Sequence, residues 1–426
     1  MPQLSEALRY GLPGFVLAFA ALPLYLLTPA LYAEQFGMSL AAVGLVLMLT
    51  RLTDAFADPI IGRWMDKSRA GLWRWMAIGL IVMAASLALL VNPPVDWLKQ
   101  TDPSGRLVLV WLGVTALVVS LGNSMATLAH QSWAVAWTND APSQTRLVAA
   151  REALALFGVI VAAIIAAQRS GPSMAIVVLA GGAIAIMFTM KLRQFGAASR
   201  TRPPQVEMVW RRMLSQPAFA RLLLAFGVNA LANAVPATLV LFFLSDLLGA
   251  SSDQSSALLA AYFAAAAISV PFWSWVGRRL GAMTAWRIAM LIAVAAFIWT
   301  LTLSRGDVGA FTVICLSTGF ALGAELVCPP VLLGRLIDQG GHRGQLESSY
   351  FGIWNLIIKL ALALAAGLAL PALGLLNYGP GQPGLEGNNL DALQWAYAGV
   401  PCVLKCIAIV ALGRVEPNAN FFRSNV

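Results

Sequence analysis

Stretches of about twenty mostly apolar residues recur along the whole chain, each long enough to cross a bilayer as a helix. A body that faces water on every side needs polar surface, and this chain has little. Only 11% of its residues are charged and 59% are hydrophobic, against roughly 25% charged in a soluble domain. The remaining option is a body whose outer surface faces lipid. Backbone groups in lipid must be satisfied within the segment, which favours helices. The expected fold class is therefore an all-α integral membrane protein, with the bilayer as an obligate partner.

Twelve spans are expected, at roughly 11–33, 38–62, 75–93, 107–137, 148–168, 172–192, 218–246, 256–276, 285–304, 309–334, 349–374 and 391–413. Short connections force neighbours to run antiparallel. The opening "MPQLSEALRY" leads into a first span too long for a signal peptide, so no cleavable leader is expected. The four cysteines, Cys315, Cys328, Cys402 and Cys406, lie in apolar segments without metal-ligand spacing and read as buried hydrophobes.

The net charge is +9. With the N-terminus inside, the inner segments hold 21 of the 28 lysines and arginines. The outer loops hold Lys99, Arg106, Arg169 and Arg305, and the spans hold Arg51, Lys359 and Lys405. The positive-inside rule then places both termini in the cytoplasm, of a bacterial-type inner membrane. The excess charge reports orientation, and no nucleic-acid partner is expected.

The longest polar stretch between spans, about residues 193–216, carries Pro203-Pro204 and a cluster of arginines. It divides the chain into six spans (1–192) and six more (217–426), joined by a basic linker. A weak repeat supports a duplication: "DPIIGRWMDKSRAGLWRWMAIG" runs from Asp58 at the end of span two and "VPFWSWVGRRLGAMTAWRIAML" from Val270 at the end of span eight. Duplicated six-helix halves are a transporter architecture.

Charges inside the spans point to function. Asp54 and Asp58 are spaced i, i+4 and share one face of span two, with Arg51 one turn before. Two carboxylates on one buried face hold a cation between them, or one of them holds a proton. Both suit a cation-coupled carrier, since ionisable groups in spans mark ion or substrate paths. The alternative is a static pair of Asp54 with Arg51 and a helix break at Asp58-Pro59. Lys359 lies about ten residues into span eleven, too deep to snorkel easily. Lys405 in span twelve is expected to reach the membrane interface.

Polar and aromatic residues suited to a solute cavity are His130, Gln131, Trp133 and Trp137 in "HQSWAVAW", Asn229 and Asn233 one turn apart, Glu325, and Trp354 with Asn355. Indole faces pack on sugar rings and amides pair with hydroxyls. Core packing is the alternative for each tryptophan, and a hydrogen-bonded structural role is the alternative for His130. Gly122 and Gly158 suit close helix packing. A phosphate-binding Gly-Lys-Ser/Thr loop, a zinc motif and a Ser/His/Asp arrangement are all missing, so an enzyme is not expected, nor any cofactor or resident metal.

The twelve-span layout with the turn "GRWMDKSRAG" resembles the major facilitator superfamily. More narrowly, "RLTDAFADPIIG", "LVAAREALALFG" and "RLIDQGGHRGQLESSYFGIWNLIIKL" resemble the glycoside–pentoside–hexuronide:cation symporters, the melibiose-permease-like group. The resemblance implies a monomeric secondary transporter whose two halves rock about a central site. It implies symport of a small polar solute, by default a sugar or glycoside, with H+ or Na+. It places Lys359 against Asp54 and Asp58, with Glu325 as an alternative partner. It also implies a gate at Asp66, which latches on neighbouring helix ends, with Arg69, Arg151, Asp338 and Arg343 as charged groups. Ala18 and Ala129 stand where the family's sugar-binding carboxylates would be. Ala57 and Ala126 stand where oxygens would help hold sodium, so a proton is favoured. The missing sugar ligands leave two alternatives: carriage or export of an amphiphile such as a lysolipid, and a non-transporting sensor or assembly factor.

Overall fold

The computed structural model describes residues 2–22, 24, 28–68, 70–102, 104–138, 140–166, 171–194, 209–376, 378 and 388–413. The helices are α1 (Leu4–Leu22), α2 (Thr28–Phe36), α3 (Leu40–Lys67), α4 (Leu72–Val91), α5 (Val95–Thr101), α6 (Arg106–Trp137), α7 (Ala141–Ala166) and α8 (Gly171–Thr189). After them come α9 (Val209–Leu214), α10 (Pro217–Phe242), α11 (Ser252–Leu280), α12 (Ala282–Phe297), α13 (Val308–Gln339), α14 (Glu347–Leu375), α15 (Asn388–Gln394) and α16 (Val400–Gly413). Among the described residues nine helices are long and apolar enough to cross a membrane. They coincide with the expected spans three, four and six to twelve. Large apolar side chains point outward from them, including Leu224, Val313, Val410 and Ile268, the last 78% exposed. Such a surface is stable only against lipid.

Local signals in the sequence set the helix ends. Ser39 caps α3 by accepting from the Ala42 N–H. Ser251 and Gln254 form a reciprocal capping box at the start of α11. Gly281, at φ 87°, separates α11 from α12 in a conformation that favours glycine.

Packing divides the chain into two compact units. The first contains residues 1–207 together with 337–356, and the second contains 208–336 and 357–426. The division falls within the polar stretch 193–216, of which residues 195–208 lie outside the described residues. Residues 337–356 carry the turn before α14 and its first ten residues, and they pack with the first unit.

In the first unit α1 packs on α7, and α6 packs on both α3 and α4. Glycines allow these approaches. A Cβ at Gly122 of α6 would lie 2.6 Å from the Met83 nitrogen of α4, and one at Gly158 of α7 would strike the Phe15 carbonyl of α1. This matches their expected role. Gly158→Ala is expected to cost about 1–3 kcal/mol by overpacking. A melting temperature in detergent equal to that of the native protein would show that α1 and α7 can separate freely.

In the second unit α10 and α12 pack on α16, and α11 packs on α12. Its core centres on aromatic rings: Phe243 stacks on Tyr397 with centroids 4.2 Å apart and planes at 12°, and Phe311 and Phe297 close around them. Phe243 and Tyr397 both lie in single π-helical turns, Phe243–Leu247 after α10 and Trp395–Gly399 before α16. Such turns often mark functional sites. Cys315, Cys328 and Cys402 are buried, but Cys406 is exposed. The expectation for Cys406 is corrected: it shares the outward face of α16 with Val403, Ile407 and Val410, while Cys402 turns inward.

Candidate functional site

The paired aspartates lie one turn apart on α3, Asp54 5% and Asp58 0% exposed, whereas Arg51 is exposed. The Ser124 hydroxyl of α6 donates to Asp54 Oδ1 at 2.7 Å. The start of α14 lies close to the same helix. A Cβ on Gly352 would come within 2.7 Å of the Asp58 carbonyl oxygen. The backbone therefore encloses Asp58 from a second helix of the same unit. A carboxylate so deeply buried is stable only where cations, a proton or hydrogen-bond donors compensate its charge.

The end of α3 carries Asp66, the residue expected at a gate. Asp66 accepts from two backbone N–H groups at the start of α14, Ser348 at 3.1 Å and Ser349 at 2.7 Å. These donors are unsatisfied within their own helix, and the helix dipole favours a negative charge there. Burial nevertheless pushes the Asp66 carboxyl up to about 7, and the Glu347 carboxylate pushes the same way, while the Ser349 and Ser348 hydrogen bonds pull it down. Glu347 is turned onto the Gly344 N–H of the preceding turn. Arg343 and Asp338 approach each other at 3.7 Å, and Arg343 also donates to the Ala136 carbonyl at 3.4 Å. Arg69 lies outside the described residues.

His130, Trp133 and Trp137 gather around Tyr10. The Tyr10 hydroxyl donates to the His130 carbonyl at 2.5 Å, and His130 Nε2 lies 2.7 Å from the Tyr10 carbonyl. A carbonyl only accepts, so Nε2 carries the proton. Trp133 stacks on Trp137 at 5.9 Å, and both present edges to Tyr10. His130 and Trp133 are each 1% exposed. Arg151, also expected at the gate, is 6% exposed and bonded to Glu152 at 2.5 and 2.8 Å. Gln131 is drawn instead to Asn355, whose amide donates to it at 3.0 Å, and Trp354 beside Asn355 is 2% exposed.

In the second unit Asn229 and Asn233 form the expected stripe on α10, and both amides donate to Glu325 Oε2, at 3.0 and 2.5 Å. Lys405 corrects the expectation that it reaches the interface. It is 8% exposed, and its ammonium lies 2.5 Å from Glu325 Oε1 and 3.1 Å from Asn229 Oδ1. Three hydrogen-bonding groups around one carboxylate outweigh the short distance along α16 to the helix end. Glu325 thus meets Lys405, where the alternative had been Lys359. Lys359 is a partly buried residue of the second unit.

A cavity of about 380 Å³ opens beside this cluster, inside the second unit. Asn233, Glu325 and Lys405 form its amide and charged part, Thr318 adds a hydroxyl, and the rings of Tyr262, Phe297, Phe311 and Tyr397 are among its apolar walls. Ser124 and Lys405 are the participants that sequence reading passed over. Ser120 and Ser124 stand i, i+4 on α6, and that spacing was the available signal for a hydroxyl stripe. Lys405 had none beyond being a lysine in an apolar run.

Comparison with known proteins gives the family. The glucuronide carrier protein homolog of Escherichia coli (strain K12) is 31% identical over 134 residues, 32% of this chain and only 28% of that relative's length. A bacterial homologue of the iron transporter ferroportin superposes with a TM-score of 0.76 at 13% identity, covering 98% of this chain and all of that one. The human organic anion transporter MFSD10 (TETRAN) gives 0.68 at 15%, covering 97% and 100%. The major facilitator superfamily transporter FucP gives 0.63 at 12%, covering 98% and 100%. These likenesses show the major facilitator fold. Residues 9–416 match the profile of the MFS/sugar transport proteins, so the chain belongs to that family of membrane transporters.

Proposed function

We infer that the protein is a cation-coupled secondary transporter of a small polar solute, a sugar or glycoside by default, with the proton as coupling ion. The observation that carries this is the buried pair Asp54 and Asp58 on one face of α3. A proton needs one carboxylate, whereas sodium needs several oxygens, and Ala57 and Ala126 supply no side-chain oxygen nearby. Binding a cation where it favours the solute-binding state links the two affinities reciprocally. Gln131 and Asn355 of the first unit are the proposed solute contacts, while Asn229, Asn233 and Glu325 are engaged in one cluster with Lys405 inside the second unit. His130 and Trp133 then serve by shaping the first unit, not by direct contact. The relative's name, glucuronide carrier homolog, supports a glycoside-type cargo. The charge distribution supports cytoplasmic termini, in an inner membrane.

The test is uptake of labelled sugars and glycosides into proteoliposomes under imposed pH or sodium gradients. Accumulation is expected with an inward proton gradient, without sodium, and Asp58→Asn is expected to lower it at least tenfold, about 1.4 kcal/mol or more. Strict sodium dependence would overturn the proton assignment. Undiminished accumulation by Asp58→Asn would remove the carboxylate pair from coupling.

A further inference from the structure

The cavity inside the second unit has a chemistry that the sugar-transport reading does not explain. Its volume, about 380 Å³, lies in the range of small-molecule sites. A sugar presents hydroxyls on every side, and walls of this kind would leave most of them unpaired. Tyr262, Phe263, Phe297, Phe311 and Tyr397 give the cavity aromatic faces, and Val240 with leucines from α10, α11 and α13 lines much of the rest. Phe311 and Tyr397 belong to the stacked aromatic core, so this wall is fixed before any ligand arrives.

The charged groups form one cluster, and their charges already cancel, while the Thr318 hydroxyl donates to the Ile314 carbonyl of its own helix at 2.7 Å. Lys405 and Glu325 are paired at 2.5 Å, each largely shielded from solvent. An ammonium has three N–H bonds, and two of those on Lys405 go to Glu325 and Asn229. Glu325 Oε1 accepts from Lys405 and keeps lone-pair capacity. A hydroxyl placed there accepts from Lys405 and donates to Glu325 at once. A carboxylate head meets the Glu325 charge, and an ammonium head meets that of Lys405. Either leaves one buried charge uncompensated, which is strongly unfavourable.

We propose that this cavity binds a compact, apolar-bodied molecule, aromatic or alicyclic, whose single polar end is an uncharged hydroxyl held between Lys405 and Glu325. Binding stands independently of the transport reading. Only the further statement that such an alcohol, free or as the apolar part of a larger neutral solute, is carried rests on it.

The experiment uses the full-length protein in lipid nanodiscs, with empty nanodiscs subtracted. Equilibrium dialysis compares radiolabelled phenylbutanol, phenylbutanoate and phenylbutylamine, which share a body and differ in head charge at neutral pH. The alcohol is expected to bind at least about tenfold more tightly than either ion. Ala237→Trp, which fills the cavity from α10, is expected to abolish that binding. Glu325→Gln leaves Lys405 charged, so the preference is expected to turn to phenylbutanoate. Equal or tighter binding of either ion to the native protein overturns the proposal, as does alcohol binding unchanged by Ala237→Trp. If Glu325→Gln does not fold, the native ranking and Ala237→Trp decide. Uptake in proteoliposomes separates the two readings. Saturable alcohol binding without uptake of any solute preserves the site and counts against transport. Proton-driven sugar uptake without alcohol binding does the reverse.

Discussion

Lys405→Met is expected to destabilise the protein by about 3–5 kcal/mol, because it leaves the buried Glu325 carboxylate without its ammonium. Asn229 and Asn233 remain as donors, and neither brings a charge. The double variant Glu325→Gln/Lys405→Met removes both charges and retains an amide between the two asparagines. It is expected to melt much closer to the native protein, since replacing a buried ion pair with neutral groups of similar volume is often nearly neutral. Thermal unfolding in detergent, followed by intrinsic tryptophan fluorescence, measures all three. Equal melting of the single and double variants would mean that solvent reaches the pair and screens it.

Asp66 gives the second large effect, one that depends on pH. Its native carboxyl titrates at about 7, far above the roughly 3.9 of an unfolded aspartate. Between those values the native state binds more protons than the unfolded state. Stability from this group is therefore fullest at low pH and falls as pH rises through the window. Asp66→Asn removes the titration and keeps one carbonyl acceptor for the Ser348 and Ser349 N–H groups. Its melting temperature relative to the native protein is expected to be several degrees more favourable at pH 8 than at pH 5. Asp66→Ala leaves both donors uncapped and is expected to be about 1 kcal/mol less stable than Asp66→Asn at either pH. A pH-independent difference between Asp66→Asn and the native protein would place the titration on another group.

The parts of this architecture that could be read from sequence were those written in short-range patterns. Apolar runs of span length gave the helices, and the i, i+4 spacing of Asp54 with Asp58, and of Asn229 with Asn233, gave shared faces. The Asp66 latch was read from resemblance, and its two donors are the N–H groups expected of an open helix start. The unread features are long-range. Nothing in "VPCVLKCIAIV" says that Lys405 turns toward a carboxylate 80 positions away, or that Cys406, one residue on, faces outward. The pairing of Tyr10 with His130 spans 120 positions and leaves no periodic trace. The first expected span holds parts of two described helices, α1 up to Leu22 and α2 from Thr28, a division that a run of apolar residues does not report.

The membership of residues 337–356 in the first unit bears on how the protein is made. Asp66 leaves the ribosome 282 residues ahead of Ser348, the first of its two partners. At about 5–20 residues per second this is a delay on the order of 15–60 s. Through that interval the first unit sits in the bilayer with Asp66 lacking its two backbone donors and Gly62 facing no neighbour from α14. Maturation therefore cannot proceed strictly from the first half to the second. The last part of the first unit to form is supplied by chain emerging near the end of translation. A nascent chain stalled before residue 337 should hold a first unit that proteases cut near Asp66, and one released after residue 356 should not.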